Sequence, residues 1–244
     1  MSQTTNNKPY KVTILTLYKE VFLSYLGAGV IGKALGKEWI LEIIDIRDFA
    51  EDSYKRVDDK VFGGGKGLLL KPDVLGKAID YALSKQSSTN LVYPSPRGVV
   101  FNAEMAQELA KEDGITLICG HFEGIDQRII DEYKPKEISI GDYILSGGEL
   151  ASMVLLDSIL RFLPNVLNSY ECLTEESFKD NLLEYPQYTK PNIWKNHKVP
   201  EVLLSGNHAR IREWRTQKAK EQTKKVRPDL WQKYKNLING ANND

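Results

Sequence analysis

Three loops in the sequence have residue types that suit the binding of a small ligand. They span residues 94–98, 120–124 and 140–148 and are rich in glycine or proline. A single glycine-rich turn is weak evidence, because glycine is used wherever the backbone needs a positive φ. Three such loops at one edge of a sheet would enclose a ligand mainly with main-chain N–H and C=O groups. Together they predict a binding site.

Two charged residues are candidates for a role at such a site. Glu123, in the middle loop, suits a cationic group or a ribose hydroxyl, and the alternative is a solvated loop carboxylate. Arg161 lies in an apolar stretch, where an unpaired buried guanidinium would be very costly. It therefore either serves the site or forms a structural ion pair with Asp157, four residues earlier.

Opposite charges segregate in the last third of the chain, although the net charge of the whole chain is zero. An acidic stretch comes first, and it predicts a solvated helix start with Thr174 as N-cap. Its acids are Glu171, Glu175, Glu176, Asp180 and Glu184. Residues 207–227 are basic and predict a phosphate-binding surface. Their charges are Arg210, Arg212, Arg215, Lys218, Lys220, Lys224, Lys225 and Arg227 against Glu213 and Glu221.

Two other patterns exclude familiar sites. The Gly-Gly-Gly-Lys-Gly loop at 63–67 lacks the Ser or Thr that follows the lysine of a phosphate-binding loop. A flexible active-site loop and a structural turn both remain open for it. The three histidines, His121, His197 and His208, do not have metal-ligand spacing, so no metal site is predicted.

The elements that must position these residues alternate regularly in the first part of the chain. Short apolar runs at 10–16, 39–46, 90–93 and 115–119 predict strands. Helices are predicted between them, one opened by Pro72 and one capped by Asn102. This alternation predicts an α/β fold with a parallel sheet covered on both faces. The ligand crevice of such a sheet lies beyond the carboxyl ends of its strands.

The rest of the chain is expected to form a small, mostly helical second domain. An apolar helix is predicted at 149–163, and shorter helices are predicted at 175–183, from 208 to about 225, and from Pro228 onward. The predicted boundaries are a first domain at 1–165, a linker at 166–175 and a second domain at 176–244. No apolar run approaches the roughly 20 residues of a membrane span, and no secretory signal is seen, which favours a cytoplasmic protein without a membrane partner.

Seven segments, in the same order, resemble the bacterial tRNA (guanine-N1)-methyltransferases. The resemblance covers nearly the whole chain. It is carried by Val-Asp-Asp at 57–59, the loop at 63–67, Pro-Ser-Pro-Arg-Gly at 94–98, Gly-His-Phe-Glu-Gly-Ile-Asp at 120–126, the segment 140–150, Tyr-Thr-Lys-Pro at 188–191 and Leu-Leu-Ser-Gly-Asn-His at 203–208.

The resemblance implies a deep trefoil knot in the parallel sheet domain, which periodicity alone does not indicate. It also implies a homodimer whose active site is shared between subunits, with tRNA as the partner and S-adenosylmethionine as the cofactor. By motif position, the residues expected to contact the cofactor are Tyr93, Pro94, Ser95, Pro96, Gly98, Gly120, Glu123, Ile140, Gly141, Asp142, Tyr143, Ile144, Leu145, Gly147 and Gly148. Those expected to contact tRNA are Ser177, Arg210, Arg215 and Lys218.

The implied reaction is methylation of N1 of the guanosine immediately 3′ of the anticodon. Guanine N1 carries a proton, so a carboxylate must remove it while a cation stabilises the charge that develops at O6. Arg161 matches the family's arginine, and the family's catalytic Asp-Ser-Phe motif is Glu176-Ser177-Phe178 here. The extra methylene keeps the carboxylate but changes its reach by about a bond length. Whether Mg²⁺ assists is not decided by these residues.

A second departure from the family is His121, which follows Gly120 where arginine is common. Two other functions stay open at this point. One is a knotted RNA methyltransferase with a different target. The other is a catalytically inactive RNA-binding relative, for which the change from Asp to Glu at position 176 is the main argument.

Overall fold

The computed structural model describes residues 8–65, 67–85, 90–167 and 176–240 of the 244-residue chain. The chain divides into two compact units, Met1–Asn168 and Ser169–Asp244. Four residues named above lie outside the described residues: Lys66, Glu171, Thr174 and Glu175.

The first unit alternates strands and helices. Its first half contains β1 (Tyr10–Thr16), α1 (Glu20–Leu26), α2 (Gly29–Ala34), β2 (Trp39–Asp45), a 3-10 turn (Ile46–Phe49), β3 (Asp58–Lys60) and β4 (Leu68–Leu70). Its second half contains α3 (Pro72–Ser84), β5 (Asn90–Val100), α4 (Ala103–Leu109), β6 (Gly114–Ile118), α5 (Gln127–Tyr133), β7 (Lys136–Ser139) and α6 (Gly148–Leu160).

Five of these strands form one sheet in the order β2-β1-β6-β5-β7, and every pairing in it is parallel. The α/β class with a parallel sheet, predicted from the alternation, is confirmed. β6 is buried along its whole length, which suits a central strand that is covered on both faces. β3 and β4 form a separate antiparallel pair.

Helices on both faces supply two apolar cores. On one face, α1, α2 and α6 pack with the strands around the fully buried Phe22 and Leu156. On the other face, α3 and α5 contribute Leu75, Ile79 and Ile129 to a second core. Burial of such side chains is the main stabilising contribution, at roughly 1.5–3 kcal/mol for each fully buried Leu, Ile or Phe. The sheet is thereby held as a rigid middle layer.

Local signals explain where several helices begin. Pro72 opens α3, where its missing N–H costs no helical hydrogen bond. The side chain of Asn102 accepts a hydrogen bond from Met105 N (2.8 Å), as expected for the N-cap of α4. α5 and β7 were not predicted, because both are short and lack a clear apolar period.

The prediction of residues 94–98 as a loop at the end of a strand is wrong. β5 continues to Val100, and these residues form a bulge within it. The strand pairs with Ile138 of β7 before the bulge and pairs with it again afterwards. Gly98 permits the second pairing, because a Cβ there would lie 2.3 Å from the main chain of Glu137 and Ile138.

The second unit contains a 3-10 turn (Lys179–Asn181), a hairpin of β8 (Ile193–Trp194) and β9 (His197–Lys198), and three helices, which are α7 (Glu201–Leu204), α8 (His208–Val226) and α9 (Pro228–Gly240). The helices predicted from His208 and Pro228 are present. Throughout the described part of the chain, no helix is both long enough and apolar enough to cross a membrane.

The prediction of a helix at 175–183 is wrong for the residues described. Residues 176–183 form a tight turn in which Phe178, Asp180 and Asn181 have positive φ, a conformation that a right-handed helix excludes. The hydroxyl of Ser177 accepts a hydrogen bond from Glu184 N (3.0 Å). Side-chain to backbone bonds of this kind compete with helix formation.

Candidate functional site

A cavity of about 400 Å³ lies at the carboxyl-terminal edge of the sheet. β6, β5 and β7 are neighbours in the sheet, so the segments at or after their carboxyl ends meet there. These segments supply most of the lining, and α6 supplies the rest. The cavity is lined by Tyr93, Pro94, Ser95, Pro96, Gly120, His121, Phe122, Glu123, Gly124, Ile138, Ser139, Ile140, Gly141, Tyr143, Ile144, Leu145, Ser146, Gly147, Gly148 and Ala151.

Main-chain contacts join the loop after β6 to the loop after β7. Gly148 N donates to the carbonyl of Gly120 (2.8 Å), and His121 forms an antiparallel bridge with Gly147. A Cβ on Gly148 would lie 2.8 Å from Cys119 Cα and Gly120 N, so no side chain fits at this position. The wall of the cavity between the two loops is therefore backbone packed on backbone.

The buried carboxylate of Glu149 connects α6 with the end of β1 and with the loop after β6. Glu149, in the first turn of α6, accepts a hydrogen bond from Thr16 Oγ1 at the end of β1 (2.6 Å). His121 Nε2 lies 2.7 Å from its other oxygen. Burial, followed by the nearby Glu149, raises the pKa of the Cys119 thiol, so that cysteine is not a nucleophile at neutral pH.

Tyr93 lines the cavity and packs against the loop that follows β6. Its ring packs against Gly120, where a Cβ would lie 2.8 Å from the ring, and its hydroxyl approaches Gly124. Burial raises the pKa of Tyr93. The phenol is therefore neutral at physiological pH and acts as a packing and hydrogen-bonding group.

The glycine-rich loop at 63–67 ends against the cavity wall. A Cβ on Gly67 would lie 2.5 Å from the side chain of Glu123, and Glu123 N donates to Leu68 O (2.9 Å). Of the two readings left open by the sequence, this contact favours a loop that belongs to the site. It also explains why Gly67, with φ near +118°, is a glycine.

Most of the cofactor-binding residues predicted from the motifs lie together around this one cavity. Gly98 and Asp142 do not line it, and Gly98 instead packs against β7. Sequence reasoning missed a further set of lining residues, although most of them lie inside the motifs that were recognised. They are His121, Phe122, Gly124, Ile138, Ser139, Ser146 and Ala151.

The two predicted catalytic residues belong to different units. Arg161 is half-buried and follows the last turn of α6. Asp157, its suggested structural partner, accepts a hydrogen bond from the hydroxyl of Tyr25 (3.1 Å). Glu176 is also half-buried, and its carbonyl accepts a hydrogen bond from Lys179 N at the start of the 3-10 turn.

The residues predicted to bind tRNA lie in the second unit and differ in their local contacts. Arg210 is exposed on the first turn of α8. The Arg215 guanidinium lies over the ring of Tyr185, 4.8 Å from its centroid, and Lys218 pairs with Glu221 (2.6 Å). Ser177 uses its hydroxyl within the turn described above. Arg210 is therefore the most available of these four for a phosphate.

No group of three or more His, Cys, Asp or Glu side chains is placed to hold a metal ion within the described ranges. Of the three histidines, His121 is in the cavity wall, and His197 and His208 are exposed in the second unit.

Comparison with known proteins gives a consistent result over almost the whole chain. The model of a family described as tRNA (Guanine-1)-methyltransferase TrmD matches residues 10–233. A tRNA (guanine-N(1)-)-methyltransferase of Wolbachia pipientis wMel is 52% identical over 91% of this chain and 95% of its own length. A protein of the same name from Pelagibacter ubique is 50% identical, over 93% and 99% of the two chains.

The backbone packing at Gly148 predicts an unusual sensitivity to a single methyl group. Gly148→Ala should lower the Tm by roughly 2–12 °C, because main-chain atoms cannot move away as a flexible side chain can. Gly65→Ala is the matched control, since a Cβ there meets nothing within 4 Å. Thermal unfolding of both variants measures the difference. Equal Tm values for the two would contradict the proposed packing.

Proposed function

The chain belongs to the tRNA (guanine-1)-methyltransferase family, and we propose that it methylates N1 of the guanosine immediately 3′ of the anticodon, with S-adenosylmethionine as the methyl donor. The observation that carries this proposal is the cavity, whose walls are the motifs at 94–98, 120–124 and 140–148. We also propose that the first unit is the methyltransferase domain and the second the tRNA-binding domain.

The cavity fits this cofactor in size and in chemistry. Its volume of about 400 Å³ lies within the usual range of small-molecule sites, about 300–1,000 Å³. Glycine, serine and proline residues leave main-chain groups exposed, which suits the polar edges of adenine and ribose. Glu123, which is among the lining residues, suits a ribose hydroxyl or the cationic end of the ligand. We also propose the deep trefoil knot that the family resemblance implies for this domain.

When bound, S-adenosylmethionine would supply an electrophilic methyl group, and its sulfur would keep the electron pair of the S–CH3 bond that breaks. The chain's own residues must then prepare the guanine. We propose that the carboxylate of Glu176 takes the N1 proton, which leaves the N1 electron pair free to form the new bond. Arg161 stabilises the negative charge that develops at O6 as this proton leaves.

A dimer is proposed because apolar side chains remain exposed where α1 packs beside α6. Most of the predicted apolar helix at 149–163 is buried within the first unit, but Leu150 and Val154, four residues apart, are 58% and 48% exposed. Leu23 of α1 is 56% exposed. The hydrogen bond from Tyr25 to Asp157 connects the two helices. We further propose that the active site is shared between the two subunits of this dimer, as the family resemblance implies.

Replacement of the target nucleotide tests the proposed function. A tRNA transcript with guanosine 3′ of the anticodon should accept one labelled methyl group, and a matched transcript with adenosine at that position should accept none. Location of the label at N1 of that guanosine would complete the test. Transfer to both transcripts would favour another RNA methyltransferase, and cofactor binding without transfer would favour the inactive relative.

Glu176→Gln should lower the single-turnover methylation rate by roughly a hundred- to ten-thousand-fold, because the variant keeps the shape but loses the base. Affinity for S-adenosylmethionine should stay unchanged, and Glu176→Asp should remain active. Glu175→Gln is the matched control and should have little effect on the chemical step. A dead Glu175→Gln enzyme beside an active Glu176→Gln enzyme would show that the other carboxylate is the base.

Leu150→Glu with Val154→Glu should shift the protein to a monomer in sedimentation and abolish methylation, because charges on a covered apolar surface are strongly unfavourable. Leu237→Glu, at a 51% exposed position on α9, is the control. The shared site is tested by mixing two inactive variants, Glu176→Gln and Arg161→Ala. Mixed dimers should regain part of the activity, whereas no recovery after verified subunit exchange would place both residues in one subunit.

A further inference from the structure

Trp194 is the only one of the second unit's three tryptophans with a largely solvent-exposed side chain. Its side chain is 61% exposed, on the first strand of the β8–β9 hairpin. The other three tryptophans are used in packing. Trp39 is fully buried and donates to Ile31 O, Trp231 stacks on Tyr234, and Trp214 lies beside Tyr188. No comparable structural use explains Trp194.

The hairpin holds this ring in a defined position. Trp194 pairs directly with His197, and residues paired in this way project from the same face of a hairpin. The turn between them has positive φ at Lys195 (45°) and Asn196 (68°), as the tight two-residue turn of a hairpin requires. Val199 N also donates to Asn192 O (2.9 Å). This hydrogen bond extends the hairpin beyond its two paired positions.

The chain segment that contains this ring carries positive charge and no negative charge. The sequence contains no Asp or Glu between Glu184 and Glu201, and this interval carries Lys190, Lys195 and Lys198. All three lysines are exposed, and none forms an ion pair with a residue in the described part of the chain. The Lys195 ammonium lies 4.8 Å from the centre of the Trp194 ring and covers one face of it.

Another lysine of this protein lies over an aromatic ring, but its charge is neutralised within the protein. Lys85 lies 4.2 Å from the ring centre of Tyr81 on α3, but its ammonium also pairs with Glu42 at 2.6 Å. The charge of Lys85 is therefore paired with a carboxylate within the first unit. Among the described residues, Lys195 beside Trp194 has no carboxylate partner. The Trp194 and Lys195 pair therefore suits a ligand that has both a flat ring and negative charge.

We propose that Trp194 is a stacking platform for one unpaired base of the tRNA, and that Lys195 and Lys198 contact the adjoining phosphates. Aromatic rings stack on bases regardless of base identity, and lysines neutralise the backbone beside them. The base in question is not the methylated guanosine, and the hairpin adds affinity for the RNA. This proposal rests on the proposed function, which supplies tRNA as the partner.

The direct test uses fluorescence and binding of the full-length protein to unmodified tRNA without S-adenosylmethionine. Trp194→Ala should weaken binding by roughly 5- to 150-fold, the usual range for one lost stack. Trp194→Phe should retain most of the affinity, but the quenching of tryptophan emission by tRNA should fall sharply. Tyr81→Ala, which breaks the satisfied pair in the first unit, is the matched control and should bind like the wild type.

Salt dependence separates the ring from the lysines. Lys195→Ala with Lys198→Ala should reduce the slope of log K against log salt by about one unit for each lost phosphate contact. Trp194→Ala should leave this slope unchanged, because no charge is removed. Arg210→Ala provides a positive control for a phosphate contact on α8.

Two outcomes would overturn the proposal. One is wild-type affinity in Trp194→Ala. The other is weaker binding by Trp194→Ala accompanied by loss of the dimer in sedimentation, which would make the ring a subunit contact. Failure of the proposed function is distinguishable, because methylation of the wrong nucleotide by the wild-type protein would leave the binding and quenching results unchanged.

Discussion

The approach of Gly148 to the backbone of Cys119 and Gly120 is the constraint on which the rest of the site depends. It requires glycine, because a Cβ at position 148 would overlap main-chain atoms. It brings the start of α6 against the end of β6, and this places Glu149 within reach of Thr16 and His121. The order of the strands in the sheet determines that the loops after β6 and β7 are neighbours. The contact between Gly148 and Gly120 determines how closely these two loops approach each other. A cavity built in this way presents main-chain groups whose positions are set by backbone packing and not by side-chain rotamers.

Much of the first unit was predictable because its signals are local. β1 and β2 are apolar runs of ordinary length, and Pro72 and Asn102 mark helix starts by their own chemistry. The errors arose where distant residues decide the local structure. Residues 94–98 remain in β5 because Ile138 pairs on both sides of the bulge. Residues 176–183 avoid a helix partly because Leu183 N donates to Thr223 Oγ1 on α8, forty positions away (2.8 Å).

The candidate site was predictable in composition but not in geometry. Family motifs indicated most of the residues around the cavity, since motifs are contiguous in sequence. His121 stands out in the sequence only as a departure from arginine. Its partner Glu149 is 28 residues away, so no local pattern links the two. A histidine can keep one polar contact to this carboxylate, whereas an arginine offers several donors. His121 therefore adds a side-chain contact to the main-chain contacts that join the two loops.

A net charge of zero is compatible with an RNA partner because the charges are unevenly placed. Half of the described residues that line the proposed cofactor cavity are glycine, proline or serine, and none is a lysine or an arginine. Cations are concentrated on α8 and around the β8–β9 hairpin. Some of these cations are already engaged, since Arg215 lies on Tyr185 and Lys218 pairs with Glu221. Lysine or arginine counts therefore overstate the charge available to phosphates. Exposure without an ion pair to an internal carboxylate in the described part of the chain, as at Lys195 and Lys198, is the better guide to which cations are available to phosphates.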